Sequence, residues 1–173
     1  MARSSKGLYV SPIYCTGSRN CLTPPRRTII APPMKKEVRS ASGNGHRPRL
    51  LDLFCCACGA GVGYNRAGFE VVGVDNKPQP NYPFPFIQAD ALKLDAKFLA
   101  SFDALHASPP CQSYSDLAKR NGNGHEWPRL IEPVRKMLIK TGLPYVIENV
   151  DGAPLLDPVV LCGTMFPNLR VLR

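Results

Sequence analysis

Cys111 lies in Ser108-Pro109-Pro110-Cys111-Gln112, where two prolines fix the backbone ahead of a thiol in a polar loop. A structural cysteine belongs inside an apolar strand. A partly exposed one at a strand end can act as a nucleophile. Glu148, in Glu148-Asn149-Val150, leaves another apolar run. An acid there is poised to hold its proton and serve as a general acid, or to form an ion pair or a cap. Upstream, Phe54-Cys-Cys-Ala-Cys-Gly-Ala-Gly-Val-Gly63 is a glycine-bearing turn that brings backbone N–H groups and a helix N-terminus close to a ligand. Tyr64 stands where a dinucleotide fingerprint needs its third glycine, so that pattern fails. Asp75 can accept hydrogen bonds from ribose hydroxyls or make a turn or cap. Asp90 can accept from an adenine amino group or cap the next helix.

These groups need elements to position them. Apolar runs predict strands at 49–54, 70–75, 86–90, 103–108 and 144–148, and the intervening periodicity predicts helices at 59–67, 95–101 and about 130–142. Gly68 and Gly142 are the expected stops; Pro128 suits the first turn of the last helix and Pro133 is expected to kink it. Strands alternating with helices imply a mostly parallel sheet with helices on both faces. In such α/β sheets ligands bind at the carboxyl ends of the strands, and every group named above follows a strand. The loop from Gln112 to Glu126, with Lys119, Arg120 and two glycines, is either a mobile lid or a plain solvated loop.

Composition bounds the rest. The chain has 173 residues and a net charge of +9, consistent with one domain. Residues 1–49 hold ten Lys or Arg against one acid, Glu37, together with six prolines, while the remainder balances at twelve of each sign. Residues 1–47 therefore read as a flexible basic arm, either an inert leader or a phosphate-binding tail, and 48–173 as the folded domain. Seven cysteines without a secretory signal point to reduced thiols and a cytoplasmic protein. No apolar run reaches 18 residues, so no membrane span is expected.

From Leu50 to Arg173 the chain resembles the DNA cytosine-5 methyltransferases, particularly the short phage and prophage type. Asp52-Leu-Phe-Cys-Cys-Ala-Cys-Gly59 resembles the first family motif, and Pro109-Pro-Cys-Gln112 and Glu148-Asn-Val150 resemble the catalytic signatures. Leu161-Cys-Gly-Thr-Met-Phe166 resembles the segment before the family's arginine motif. The resemblance implies a Rossmann-like fold and S-adenosylmethionine as cofactor, held by Phe54, Cys56, Ala57, Gly59, Asp75, Asn76, Asp90, Ala91 and Pro109. It implies double-stranded DNA as partner, contacted by Gln112, Ser113, Lys119, Arg120 and Arg173, with Cys111 as nucleophile and Glu148 at cytosine N3. It further implies a monomer, no metal and a role in restriction–modification.

Two departures stand out. Cys56 and Cys58 replace glycines of the first motif, and a side chain at 58 is expected to crowd the cofactor. The sequence ends where the arginine motif would begin, so a C-terminally truncated catalytic core is expected, lacking the target-reading region. The rival functions are a cofactor- or DNA-binding remnant without activity, a thiol redox protein using Cys55 and Cys58, and a zinc or iron–sulfur site on Cys55, Cys56 and Cys58.

Overall fold

The computed structural model describes residues 8–13, 47–122, 126–162 and 165. In chain order its elements are β1 (Leu8–Ile13), β2 (Arg49–Leu53), α1 (Gly59–Arg66), β3 (Glu70–Asp75), β4 (Phe86–Gln88), a 3-10 turn (Ala91–Lys93), α2 (Ala96–Leu99), β5 (Ala104–Ala107), α3 (Asp116–Arg120), α4 (Ile131–Thr141), β6 (Tyr145–Glu148) and β7 (Val159–Cys162). The strands form one sheet in the order β4-β3-β2-β5-β6-β1-β7, with every pairing parallel. The chain winds outward from β2 in one direction and from β5 in the other. The switch point therefore lies between β2 and β5, and the fold is Rossmann-like α/β.

Period-two alternation divides the sheet into two faces. On one, Leu51, Leu53, Val72, Val74, Leu105, Ala107, Tyr145 and Ile147 pack with Leu99, Phe102, Ile131, Val134 and Leu138 into the main core. The buried residues Ile131, Val134 and Leu138 fall on one stripe of α4. Shortening Leu138, which is fully buried, costs about 2–5 kcal/mol. On the opposite face α1 covers the strands, with the Tyr64 ring 5.3 Å from that of His106.

The structure amends three expectations. Leu8–Ile13, inside the expected arm, forms β1 between β6 and β7. β6 pairs with Leu8–Val10 and β7 with Val10–Ile13, so Pro12 meets a ladder on one side alone, which a proline tolerates. Arg47, the last residue of that arm, donates to the carbonyls of Asn65, Gly68 and Phe69, where α1 ends and its free carbonyls favour a cation. The rest of 1–46 lies outside the described residues. Second, α4 begins at Ile131, so Pro133 sits in its first turn, where no intrahelical donor is lost. Third, the loop after Cys111 contains α3, and β7 adds a strand beyond Glu148. Among the described residues no helix is long and apolar enough to cross a membrane.

Candidate active site

Because every strand runs the same way, Leu53, Asp75, Gln88, Ala107 and Glu148 all end at one edge of the sheet. The first turn, Asp75-Asn76, Asp90, the Pro-Pro-Cys turn and Glu148-Asn149 therefore share that edge, as the sequence requires.

The first turn is built on left-handed backbone at three non-glycine residues: Phe54 (φ 60°), Cys56 (φ 43°) and Cys58 (φ 76°). The resulting zigzag buries Cys55 and Cys58 and leaves Cys56, Ala57 and Gly59 exposed. A Cβ placed on Gly59 meets nothing within 4 Å, so the space above the start of α1 is open. Cys58 does not project there. A Cβ placed on Gly61 would come 2.5 Å from Cys58 Sγ, 3.0 Å from Asp52 Oδ2 and 3.1 Å from the Tyr82 hydroxyl, which puts the thiol underneath the turn. Burial pushes the Cys55 thiol up to about 12, and burial also raises Cys56 and Cys58. A redox pair needs accessible, acidified thiols, so this environment runs against the dithiol reading. Among the described residues no three His, Cys, Asp or Glu side chains converge to hold a metal.

Asp75 is buried at the end of β3. Its Oδ2 accepts from the Cys56 N–H at 3.1 Å and its Oδ1 from the Lys77 N–H at 3.0 Å. The carboxylate thus closes its own turn and pins the first turn to β3, with lone pairs left over. Asn76 beside it is exposed. Asp90 caps the 3-10 turn through the Leu92 N–H at 3.0 Å and pairs with Lys93. Ala91 is part of the core, so its side chain does not face the edge.

Pro109 is buried, and its carbonyl accepts from Asn149 Nδ2 at 2.8 Å. Cys111 is half-buried, and its carbonyl accepts the N–H groups of Tyr114 and Ser115, closing the turn that presents the thiol. Gln112 Oε1 and Ser113 Oγ are buried without a hydrogen-bond partner among the described residues. Two buried polar atoms without partners lie directly after the Cys111 thiol, a place with room in its hydrogen bonding for a polar group. Glu148 is half-buried; desolvation raises its carboxyl above the ordinary range, and the charge of His106 draws it part of the way back. Lys119 and Arg120 sit on α3, and Arg120 is exposed. Arg173 and residues 123–125 of the expected lid lie outside the described residues.

The residues that sequence reasoning missed lie one rank below this edge. His106 donates from Nδ1 to Asp52 Oδ1 at 2.9 Å, both buried, and the Tyr82 hydroxyl donates to Asp52 Oδ2 at 3.4 Å. A polar residue at matching positions of two otherwise apolar strands, Leu-Leu-Asp-Leu and Ala-Leu-His-Ala, was the signal that could have found them.

The fold and this edge define a Rossmann-like α/β domain that presents a thiol and an acid from adjacent strand ends. The chain belongs to the C-5 cytosine-specific DNA methylase family, whose model matches residues 48–157. Among curated proteins it is 25% identical over 118 residues to the Type II methyltransferase M.FnuDI of Fusobacterium nucleatum, covering 60% of this chain and 33% of that one. It is 32% identical over 119 residues to M.HgiDI of Herpetosiphon aurantiacus, covering 62% and 38%. It is 29% identical over 118 residues to M.HgiGI of the same organism, covering 62% and 94%. The matched region thus spans about a third of the first two relatives.

Proposed function

We propose that this chain carries the cofactor- and base-handling part of a DNA cytosine-5 methyltransferase acting on a cytosine flipped out of double-stranded DNA. The observation that supports this most is the bond from Asn149 to Pro109, which ties the thiol's turn to the acid's strand end. A nucleophile and a proton donor must address one ring together, and this tie fixes one relative to the other.

The open space above Gly59 and the residual acceptors at Asp75 and Asp90 fit S-adenosylmethionine, an anionic–cationic nucleoside with hydroxyl and amino donors. Phe54, Cys56, Ala57, Gly59, Asn76 and the backbone of Ala91 and Pro109 complete its surroundings. When bound, it supplies the electrophilic methyl that cytosine C5 accepts.

C5 is a poor nucleophile until C6 carries a substituent. Cys111 adds to C6 as the thiolate, which makes C5 enamine-like. Glu148 gives a proton or a hydrogen bond to N3 and neutralises the charge that addition places on the ring. The raised carboxyl of Glu148 suits that task, because the acid keeps its proton at higher pH than an exposed one. Gln112 and Ser113 satisfy their free polar atoms on the flipped nucleotide, and Arg120 with Lys119 meets phosphates. Removal of the C5 proton by a base then lets Cys111 leave.

Transfer of a labelled methyl from S-adenosylmethionine to duplex DNA tests this reading. The label should appear on cytosine C5 and vanish in Cys111→Ser. Binding of S-adenosylmethionine without any transfer favours the second reading, a cofactor-binding domain without turnover.

A further inference from the structure

Glu148 is served by a buried pair that the reaction above does not use. Asp52, His106 and Val146 are in register across β2, β5 and β6. Two residues on from Val146, Glu148 projects from the same face. His106 therefore stands between a carboxylate on one neighbouring strand and Glu148 on the other. His106 is 3% exposed and Asp52 1%, so water screens neither.

The surroundings are complete on the described sides. Asp52 takes Nδ1 of the imidazole at 2.9 Å and fixes its plane. Tyr82 reaches Asp52 Oδ2, and Gly73, in register with Asp52 on β3, leaves room for the Tyr82 ring, which a Cβ at Gly73 would strike. Tyr64 from α1 closes over the imidazole, and its phenol is pushed up to about 12 by burial and by Asp52, so it stays neutral. Cys55 and Cys58, held neutral by burial, face Asp52 from the first turn. On the far side of β6, Val10 of β1 is in register with Glu148. The titratable groups that face this cluster are thus Asp52, His106, Glu148, two neutral thiols and two neutral phenols.

We propose that Asp52 and His106 are a positioning pair for Glu148: the aspartate fixes the imidazole, and the imidazole stands on the same face of the sheet, one strand over from the carboxyl. Desolvation raises the Glu148 carboxyl and makes its proton harder to give up. The charge of His106 one rank below opposes that, so the carboxyl can both give its proton to N3 and take it back. The aspartate matters because an imidazole free to turn offers no fixed charge to β6. The role assigned to Glu148 rests on the proposed function; the electrostatic coupling does not.

The test is a pH titration of the Glu148 side-chain carbon by carbon-13 NMR in the full chain, without DNA or cofactor, beside the ring shifts of His106. In the unaltered chain the Glu148 resonance should titrate above that of an exposed glutamate. In His106→Asn the Glu148 midpoint should rise by about one pH unit, the size expected when a nearby opposite charge is lost. Asp52→Asn should move it the same way, because the imidazole loses the partner that fixes it. A Glu148 midpoint unmoved in a folded His106→Asn chain overturns the proposal. If neither variant folds, His106→Gln takes their place, and a Glu148 midpoint unmoved in that variant overturns it equally. A chain that transfers no methyl yet shows coupled titration sinks the proposed function and leaves the pair standing; transfer with uncoupled titration does the reverse.

Discussion

Asn149 donates from Nδ2 to the Pro109 carbonyl at 2.8 Å, joining two turns that leave neighbouring strands. Asn149 is 2% exposed, so no water replaces it readily. Its own Oδ1 accepts from the Val150 N–H, which sets the amide's orientation.

Removing that amide leaves a buried carbonyl without a donor. Asn149→Ala is expected to cost about 1–3 kcal/mol in urea unfolding. The freed turn should also let iodoacetamide label Cys111 faster in the native state. Unchanged stability and labelling would show that Pro109 finds another donor.

Gly61 sits in α1 directly over Cys58, and an added Cβ would come 2.5 Å from the thiol sulfur. Helix propensity favours alanine over glycine by about 1 kcal/mol, but overpacking costs about 1–3. Gly61→Ala should therefore destabilise. Adding Cys58→Gly removes the sulfur and relieves the left-handed backbone at 58, so the double variant should recover most of the loss. Additive losses in a double-mutant cycle would show that the two positions do not meet.

β1 covers the outer edge of β6. Deleting residues 1–13 should therefore speed amide exchange at Val146, Ile147 and Glu148 by about tenfold or more. Unaltered protection there would remove Leu8–Ile13 from the sheet.

The strand ends were legible because hydrophobic runs, glycine stops and polar groups coincide along 49–148, and short parallel strands leave few alternatives. β1 was not: six residues in a basic, proline-rich stretch, with Pro12 among them, carry no periodicity that opposes a loop. Its place depends on pairing with strands more than a hundred residues later. The Asp52–His106 pair was hidden for the same reason, since residues 54 apart meet only once the register of β2 and β5 is fixed. The roles of Asp75 and Asp90 stood open in sequence; the structure shows both closing turns, which leaves ligand binding to their remaining lone pairs. Cys58 read as an obstacle to the cofactor because spacing says nothing of side-chain direction; the positive φ turns it inward.

Glu148 also links stability to pH. Its carboxyl is raised in the fold, chiefly by desolvation, so the folded state prefers it protonated. That contribution is fully present below the value of an unfolded glutamate and is lost as pH rises through the raised folded value. Glu148→Gln mimics the protonated form. As pH rises above the value of an unfolded glutamate, the variant's unfolding midpoint should fall less than that of the unaltered chain. Parallel curves would mean that Glu148 is solvated.

The most direct measurement is covalent trapping on duplex DNA carrying 5-fluorocytosine, with S-adenosylmethionine present. Fluorine at C5 cannot leave as a proton does, so the thioether to C6 persists through a denaturing gel. The account predicts a stable adduct, its loss in Cys111→Ser, trapping slowed about 10²–10³-fold in Glu148→Gln, and full trapping when Cys55 or Cys58 is replaced by serine. An adduct that forms undiminished in Cys111→Ser would contradict it.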